Sequence, residues 1–181
     1  MEEIILLKLT NFFLENSYEE FYLRELSKKL KISVFAIKKY ADYLLREGLI
    51  QEERKGNLRY FKANLENLFF KHLKIARSIN LIIRSGLIEF LKENLANVSS
   101  IVLFGSIARG EDNEESDIDI SIIGKEKTLD LEKFEDKLNK KINIHMFSWS
   151  EWNIKVKKDS AFYFDVITQG IPLHGELPII R

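Results

Sequence analysis

Cysteine is absent from the 181 residues of this chain. Its absence excludes disulfide bridges, a thiolate nucleophile and cysteine-ligated zinc, so any chemistry must use oxygen and nitrogen groups. A chain without cysteine fits a reducing compartment, and we expect a cytoplasmic protein.

An excess of charge is also absent, because 28 basic and 28 acidic residues cancel. The molecule as a whole therefore lacks the positive field of a general nucleic-acid coat protein, and any contact with nucleic acid must be local. Long hydrophobic runs are missing as well: charged residues interrupt every apolar stretch before it could span a bilayer, and the N-terminus has no basic region of a signal peptide. We expect no membrane association.

The residues that are present suffice for a folded core, since 45% of them are hydrophobic. Helical and strand periodicities both occur, which predicts an α+β protein. Changes of pattern divide the chain into residues 1–63, a connecting helix at 64–84 and a second domain at 85–181. No internal repeat is present.

The first segment predicts helices around a tight turn. An amphipathic helix with Ile5, Leu9, Phe12 and Phe13 on one face is followed by a second helical period over residues 22–30. After a turn at residues 31–32, Ser33 has the position of an N-cap and Gly48 that of a left-handed residue after the helix end. The predicted buried face of this third helix consists of Val34, Ile37, Ala41, Leu44 and Leu45.

A two-stranded hairpin is predicted directly after the third helix. Residues 49–54 and 58–62 flank a turn at Lys55-Gly56-Asn57. A helix-turn-helix followed by such a hairpin resembles the winged-helix family of DNA-binding domains, over roughly the first third of the chain. The resemblance implies that the third helix enters a major groove and that the hairpin lies near the phosphates.

The residues expected to contact DNA are Ser33, Phe35 and Ala36 at the start of the third helix, Lys38, Lys39 and Arg46 on its outer face, and Arg54, Lys55, Arg59 and Lys62 in the hairpin. The alternative is a protein-interaction or dimerisation module whose lysines are simply solvated. Residues 1–63 contain twelve basic and ten acidic residues, so electrostatics favours DNA only slightly.

The connecting segment has more apolar residues than one helix face needs. They are Leu65, Leu68, Phe69, Phe70, Leu73, Ile75, Ile79, Leu81, Ile82 and Ile83. Packing between the domains is one explanation, and pairing with a second copy of the chain is the other. We expect a homodimer.

Two acidic residues stand out in the second domain, Asp117 and Asp119. On a strand they point to one side, whereas Ile118, Ile120 and Ile122 alternate toward buried surroundings. Carboxylates held side by side repel each other unless a cation lies between them, and magnesium suits ligands that are all oxygen. This pattern predicts a magnesium site.

A glycine bend precedes that strand. Residues 101–104 read as a buried strand that ends at Gly105, and Ser106 follows at the expected start of a short helix, where free N–H groups favour phosphate. A phosphate-binding bend beside metal-binding carboxylates is what nucleotidyl transfer needs. The metal orients the phosphates, and the bend holds the leaving pyrophosphate.

Residues 103–110 are followed by Asp117 and Asp119, with ten residues between Ser106 and Asp117. This pattern resembles the Gly-Ser-x10-Asp-x-Asp signature of the minimal nucleotidyltransferases in the polymerase beta superfamily. Residues 164–175 resemble the end of those domains. The resemblance implies a mixed sheet with flanking helices. It also implies that Gly105 and Ser106 bind the triphosphate of an NTP, with ATP as the expected nucleotide, and that Asp117 and Asp119 are the catalytic magnesium ligands.

The family places a third carboxylate on the next strand, and this chain departs from that pattern. The strand is predicted at residues 141–147, after a helix at residues 129–140, and Asn143 and His145 would face the site. Asn143 could ligate a metal through its carbonyl but cannot accept a proton at neutral pH. His145 is either a general base or, in the interpretation we favour, a histidine half-buried at the sheet edge.

Arg109 and Ser116 are further candidates for nucleotide contacts. Arg109 either meets the phosphates or pairs with the acidic residues at 111, 112, 114 and 115. Trp149 and Trp152 are interpreted as packing residues.

The expected function is transfer of a nucleoside monophosphate from an NTP to an acceptor hydroxyl, with the winged helix recruiting the acceptor or binding DNA. Acceptors in the family include proteins, RNA and small hydroxylated molecules, and antitoxin-like enzymes that attach AMP to a partner toxin are one type. The main alternative is a DNA-binding transcriptional regulator whose impaired nucleotidyltransferase domain senses nucleotides. A structural adaptor is the third.

Overall fold

The structure is a computed structural model that describes residues 2–180. The chain divides between Lys74 and Ile75 into two compact units. Helix α4 (Leu68–Ser85) begins in the first unit and ends in the second. No helix in the described part of the chain is long and apolar enough to cross a membrane.

The first unit contains three helices and a three-stranded antiparallel sheet ahead of α4. Its elements are α1 (Glu2–Glu15), β1 (Glu20–Tyr22), α2 (Leu23–Leu30), α3 (Val34–Arg46), β2 (Ile50–Lys55) and β3 (Leu58–Ala63). The strand order is β1-β3-β2. The three helices and the hairpin were predicted, whereas β1 was not, because three residues are too few to show a strand period.

Helix α3 lies between local signals that the sequence carries. The Ser33 side chain accepts a hydrogen bond from the backbone N–H of Ala36, at 3.2 Å, and Gly48 follows the helix with φ +69°. The residues of α3 that are buried are Ile37, Tyr40, Ala41 and Leu44. The prediction that Val34 is buried was wrong: it is 42% exposed, because the first turn of α3 extends beyond the core.

The hairpin pairs from Ile50 opposite Ala63 to Lys55 opposite Leu58. Lys55 is thus the last residue of β2, and only residues 56–57 form the turn. Gly56 adopts φ +61°, a conformation that residues with a β-carbon rarely adopt.

The second unit is a mixed four-stranded sheet with helices against both faces. After α4 come α5 (Leu87–Asn94), β4 (Ser100–Phe104), α6 (Gly105–Arg109), β5 (Ile118–Ile123), α7 (Glu132–Leu138), β6 (Ile142–Phe147), α8 (Trp149–Lys158), α9 (Ser160–Phe164), a π-helix (Asp165–Gln169) and β7 (Ile171–Gly175). The order is β6-β5-β4-β7, and only β5 and β6 are parallel. Helix α7 is shorter than predicted and ends where Asn139 turns left-handed, with φ 50°.

Alternate side chains of β4 and β5 pack into two hydrophobic cores on opposite faces of the sheet. Ile101, Leu103, Ile120 and Ile122 pack on the side of α5, with Leu87 and Leu91. Val102, Phe104 and Ile123 pack on the other side, with Trp152 and Val166. Trp152 is fully buried, as predicted, and donates its indole N–H to the carbonyl of Pro178 at 2.8 Å. The packing prediction for Trp149 was wrong, because that side chain is 49% exposed.

Candidate functional site

The predicted site residues lie together at one end of the strands of the second sheet. Phe104, the last residue of β4, pairs with Asp119 on β5, and Asp119 pairs with Asn143 on β6. Strand β4 runs antiparallel to β5, and β6 runs parallel to β5. The end of β4 therefore lies at the same end of the sheet as the starts of β5 and β6. Residues that follow β4 or open β5 and β6 must therefore lie together.

Asp117 and Asp119 share one hydrogen-bond donor. Nδ2 of Asn143 donates to Oδ2 of Asp117 at 3.0 Å and to Oδ1 of Asp119 at 3.2 Å. A single nitrogen reaches both carboxylates, so their oxygens lie on the same side of the sheet and close enough for one hydrated cation to bridge. The amide also offsets part of their mutual repulsion.

Gly105 lies directly against this carboxylate pair. Its φ is +74°, and a Cβ at this position would lie closer than 3.0 Å to Oδ2 of Asp119. Both the backbone conformation and the close approach therefore require glycine. Ser106 follows as the second residue of α6 and is partly buried. The structure thus brings the glycine-serine bend and the carboxylate pair into contact.

The oxygen ligands at this end of the strands are few. No group of three or more His, Asp or Glu side chains in the described residues could hold a metal ion. The available set is the two carboxylates and, once its side-chain amide rotates to turn the oxygen instead of the nitrogen toward them, Asn143. Such a set suits magnesium, which is commonly held by one or two carboxylates plus water and substrate phosphates.

Arg109, at the end of α6, lies in two ion pairs. Its Nε contacts Glu111 at 3.0 Å, and its Nη1 contacts Asp165 at 2.8 Å. The pKa of Arg109 is raised, first by the hydrogen bond with Glu111 and also by the charge of Asp165. Glu111 belongs to the acidic run named as the alternative partner, whereas Asp165 was not foreseen. Contact of Arg109 with phosphate stays a prediction.

The loop before Asp117 is closed by hydrogen bonds of its own. Oγ of Ser116 donates to Oδ1 of Asn113 and accepts from the Asn113 backbone N–H, both at 2.9 Å. The Ser116 hydroxyl therefore orders the loop, and its contact with a nucleotide stays a prediction.

Lys140 is a site residue that the sequence reasoning missed. Its Nζ donates to the carbonyl oxygens of Asn113 at 2.5 Å and Ser116 at 2.9 Å. Partial burial lowers its pKa, while the charges of Asp112, Asp117 and Glu114 act in the opposite direction. Its position just before a strand, beside a second lysine, gave no signal of this contact.

His145 lies on the outermost strand of the sheet, as the favoured interpretation expected, but it is exposed rather than half-buried. Its ring centre is 5.5 Å from that of Phe104 and 5.4 Å from that of Phe162. The histidine thus forms part of an aromatic surface on the same sheet face as Asp119.

The residues predicted to contact DNA fall into two groups. The first group lies at the start or on the outer side of α3 or in the hairpin, Phe35 being 80% exposed and Ala36 half-buried; its members are Ser33, Phe35, Ala36, Lys38, Lys39, Arg46, Arg54 and Lys62. Arg59 instead pairs with Glu52 at 2.6 Å and Asp42 at 2.7 Å, and Lys55 pairs with Glu20. Three of the hairpin cations therefore have carboxylate partners, because Arg54 also contacts Glu52 at 3.4 Å, and DNA contact stays a prediction for all of these residues.

Comparison with known proteins identifies one domain family. The model of the family described as "Nucleotidyltransferase domain" matches residues 84–164. No curated protein matches the chain. That family match contains Gly105, Ser106, Asp117, Asp119 and Asn143.

Solved structures show a weaker likeness. The structure of a toxin-antitoxin with AMP-PNP is 23% identical, with a TM-score of 0.36, over 54% of this chain and 73% of that chain. A mutant of the toxin-antitoxin MntA-HpeT is 22% identical, with a TM-score of 0.36, over 51% and 72% of the respective chains. The family match is the informative one: residues 84–164 match the model of a nucleotidyltransferase domain.

Proposed function

We propose that the second unit transfers a nucleoside monophosphate from an NTP to an acceptor hydroxyl, and that Asp117 and Asp119 hold the Mg²⁺ this reaction needs. The observation that carries the proposal is the shared contact of both carboxylates with Asn143, directly beside the bend at Gly105. A bound Mg²⁺ would supply the positive charge that orients and neutralises the phosphates.

The residues around the carboxylates have distinct roles in this proposal. Asn143 offers its amide oxygen as a further metal ligand. Gly105 and Ser106 bind the triphosphate, with ATP as the expected nucleotide, and Arg109 and Ser116 are the outer contacts. The close approach of the Gly105 backbone to Asp119 supports binding of a triphosphate and a metal side by side.

Among residues 2–180, no carboxylate beside Asp117 and Asp119 is positioned to remove the proton from the acceptor hydroxyl. Asn143, which pairs with Asp119 across the strands, is not basic at neutral pH. The attacking hydroxyl therefore has to lose its proton to water, to the substrate phosphates, to His145 or to a group on the acceptor. We expect slow turnover unless the acceptor, a protein or an RNA, brings such a group.

Asn143 also supports a second candidate function. A domain that binds Mg²⁺ and an NTP but turns over poorly would serve as a nucleotide sensor in a DNA-binding transcriptional regulator. Binding without turnover would distinguish this function from the transferase.

The first unit is proposed to be a winged helix-turn-helix that recruits DNA. The helices α2 and α3, followed by the β2–β3 hairpin, support this assignment, as do the exposed Lys38 and Arg54. Because Arg59 and Lys55 already pair with carboxylates of the same chain, the expected DNA contacts lie mainly on α3.

A homodimer is proposed from the exposed apolar residues of α4. Those residues are Leu68, Phe69, Leu81 and Ile83. Burying such side chains against a second copy would remove apolar surface from water. Sedimentation should show a mass that rises with protein concentration, and a concentration-independent monomer would exclude the dimer.

Turnover is tested by incubating the protein with each NTP labelled in the α-phosphate, with Mg²⁺ and with candidate protein or RNA acceptors. The transferase predicts released pyrophosphate and a labelled acceptor, both lost in Asp117→Asn/Asp119→Asn. Mg²⁺-dependent NTP binding without either product would favour the sensor. Absence of both binding and products would reject the proposed site.

A further inference from the structure

Lys140 joins the start of β6 to the loop that leads into Asp117. Its backbone is held in place, because its N–H donates to the carbonyl of Glu135 at 3.2 Å and the carbonyl of the next residue accepts from Ile118 N–H at 2.8 Å. Its side chain then reaches the carbonyls of Asn113 and Ser116. The lysine thus spans from a fixed strand to the end of a loop.

The loop at residues 111–116 has a high density of negative charge. Four of the residues between Gly110 and Ser116 are acidic, and Asp117 follows directly. The loop turns on local hydrogen bonds, among them Glu115 N–H to Oδ1 of Asn113 at 3.0 Å. The charges of Asp112, Glu114 and Asp117 all act on the Lys140 ammonium, which is partly buried. Lys140 therefore offsets carboxylate repulsion where the chain approaches the carboxylate pair.

We propose that Lys140 is a positioning residue for nucleotide binding: its ammonium clamps the Asn113 and Ser116 carbonyls, and through them fixes Asp117 beside Asp119. The proposal rests on the proposed function. Lys140 contacts no reacting atom in it and acts through the loop alone.

The test compares Lys140→Met with Lys141→Met. Lys141 is the matched control, because its side chain is 76% exposed and pairs only at 3.3 Å with Glu135. Two quantities are measured: amide hydrogen exchange of residues 113–117 without nucleotide, and the affinity for ATP in the presence of Mg²⁺. Lys140→Met should speed loop exchange and weaken ATP affinity, each by about tenfold or more, because both hydrogen bonds from the charged ammonium are lost.

Lys141→Met should behave as the wild type in both measurements. Lys140→Arg, which keeps the charge and the donors, should restore most of the affinity that Lys140→Met loses. A residue with only a general structural role would change the melting temperature without this rescue and without selective exchange in the loop.

Unchanged loop exchange or unchanged ATP affinity in Lys140→Met would overturn the role of Lys140. Should that variant not fold, Asn113→Ala can replace it, because it removes the side-chain hydrogen bonds of Asn113 that order the same loop. Unchanged ATP affinity in Asn113→Ala would also overturn the role of Lys140. Failure of the wild type to bind ATP would overturn the proposed function together with this role. Equal binding by the wild type and Lys140→Met would overturn the role of Lys140 alone.

Discussion

Gly105 and Asp119 lie in contact across neighbouring strands, so that a β-carbon on residue 105 would overlap with the carboxylate of residue 119. The two residues are brought together because Phe104, the last residue of β4, is the partner of Asp119 in the sheet. The bend proposed to hold phosphates and the carboxylate proposed to hold a metal are therefore a single site.

The contact with Asp119 can be tested by Gly105→Ala, with Gly56→Ala as the control. Both glycines have positive φ, and Gly56 has open space around its α-carbon. The φ penalty alone should cost each variant about 1–2 kcal/mol of folding free energy. Gly105→Ala should also displace the carboxylate and lose most Mg²⁺-dependent ATP binding, as measured by titration calorimetry. Equal affinity in both variants would show that this contact does not shape the site.

Asn143→Asp should convert the site into three carboxylates. Without metal, the variant should melt at a lower temperature than the wild type, because an amide donor to Asp117 and Asp119 is replaced by a third negative charge. With Mg²⁺, its melting temperature should rise by more than that of the wild type. Thermal melts across a Mg²⁺ series measure both effects.

Asn153→Asp is the control for that experiment, because it adds the same charge at an exposed position of α8 in the same unit. This control should show no additional response to Mg²⁺. A Mg²⁺ response of Asn143→Asp that equals the response of Asn153→Asp would contradict the assignment of Asn143 to the metal site.

Glu135 should give the protein a pH-dependent contribution to stability. The pKa of Glu135 is lowered from 4.5, chiefly because its carboxylate accepts the Ile142 N–H at 2.9 Å. A carboxyl group with a lower pKa in the folded state stabilises the fold above its unfolded pKa, and this contribution is lost as the pH falls through the folded value. The melting temperature of Glu135→Gln should lie below that of the wild type at pH 7, and the difference should vanish under acid.

Glu132→Gln, on the exposed side of the same helix, controls for the change in net charge. A difference between wild type and Glu135→Gln that persists unchanged to pH 2 would show that ionisation of Glu135 is not its cause.

Replacing Lys38 and Lys39 by Gln should weaken any binding of DNA by the first unit. If both lysines meet phosphates, the dependence of log affinity on log salt concentration should become shallower by about two units. Lys157→Gln/Lys158→Gln, which removes two exposed charges from α8, should leave the salt dependence unchanged. Gel shifts over a salt series provide the measurement, and the absence of any complex at low salt would remove the DNA-binding proposal.

Local signals in the sequence were sufficient for much of the fold. Ser33 and Gly48 mark the ends of α3, because capping and left-handed termination depend on nearby residues only. The alternation around Asp119 likewise predicted a strand, but it did not show that the face of Asp119 is also buried farther along β5, at Ser121 and Ile123. A short element such as β1 carries no such period, and Val34 and Trp149 follow an apolar pattern without having a core beside them.

Long-range partners were the part of the site that could not be predicted. Asp165 lies 56 residues after Arg109, and Lys140 lies 24 residues after Ser116, so neither pair shares a helix turn or a strand pairing. An arginine or lysine in the sequence is expected to pair with a carboxylate or a carbonyl, but which of these groups it contacts depends on the fold. The acidic run beside Arg109 supplied one correct partner, Glu111, because it is only two residues away.

Calorimetric titration of ATP into the wild type and into Asp117→Asn/Asp119→Asn, each with Mg²⁺ and with EDTA, tests the central proposal most directly. The account predicts binding by the wild type that requires Mg²⁺, no Mg²⁺-dependent binding by the double variant, and a melting temperature of the variant at or above that of the wild type. Undiminished Mg²⁺-dependent affinity in the folded double variant would contradict it.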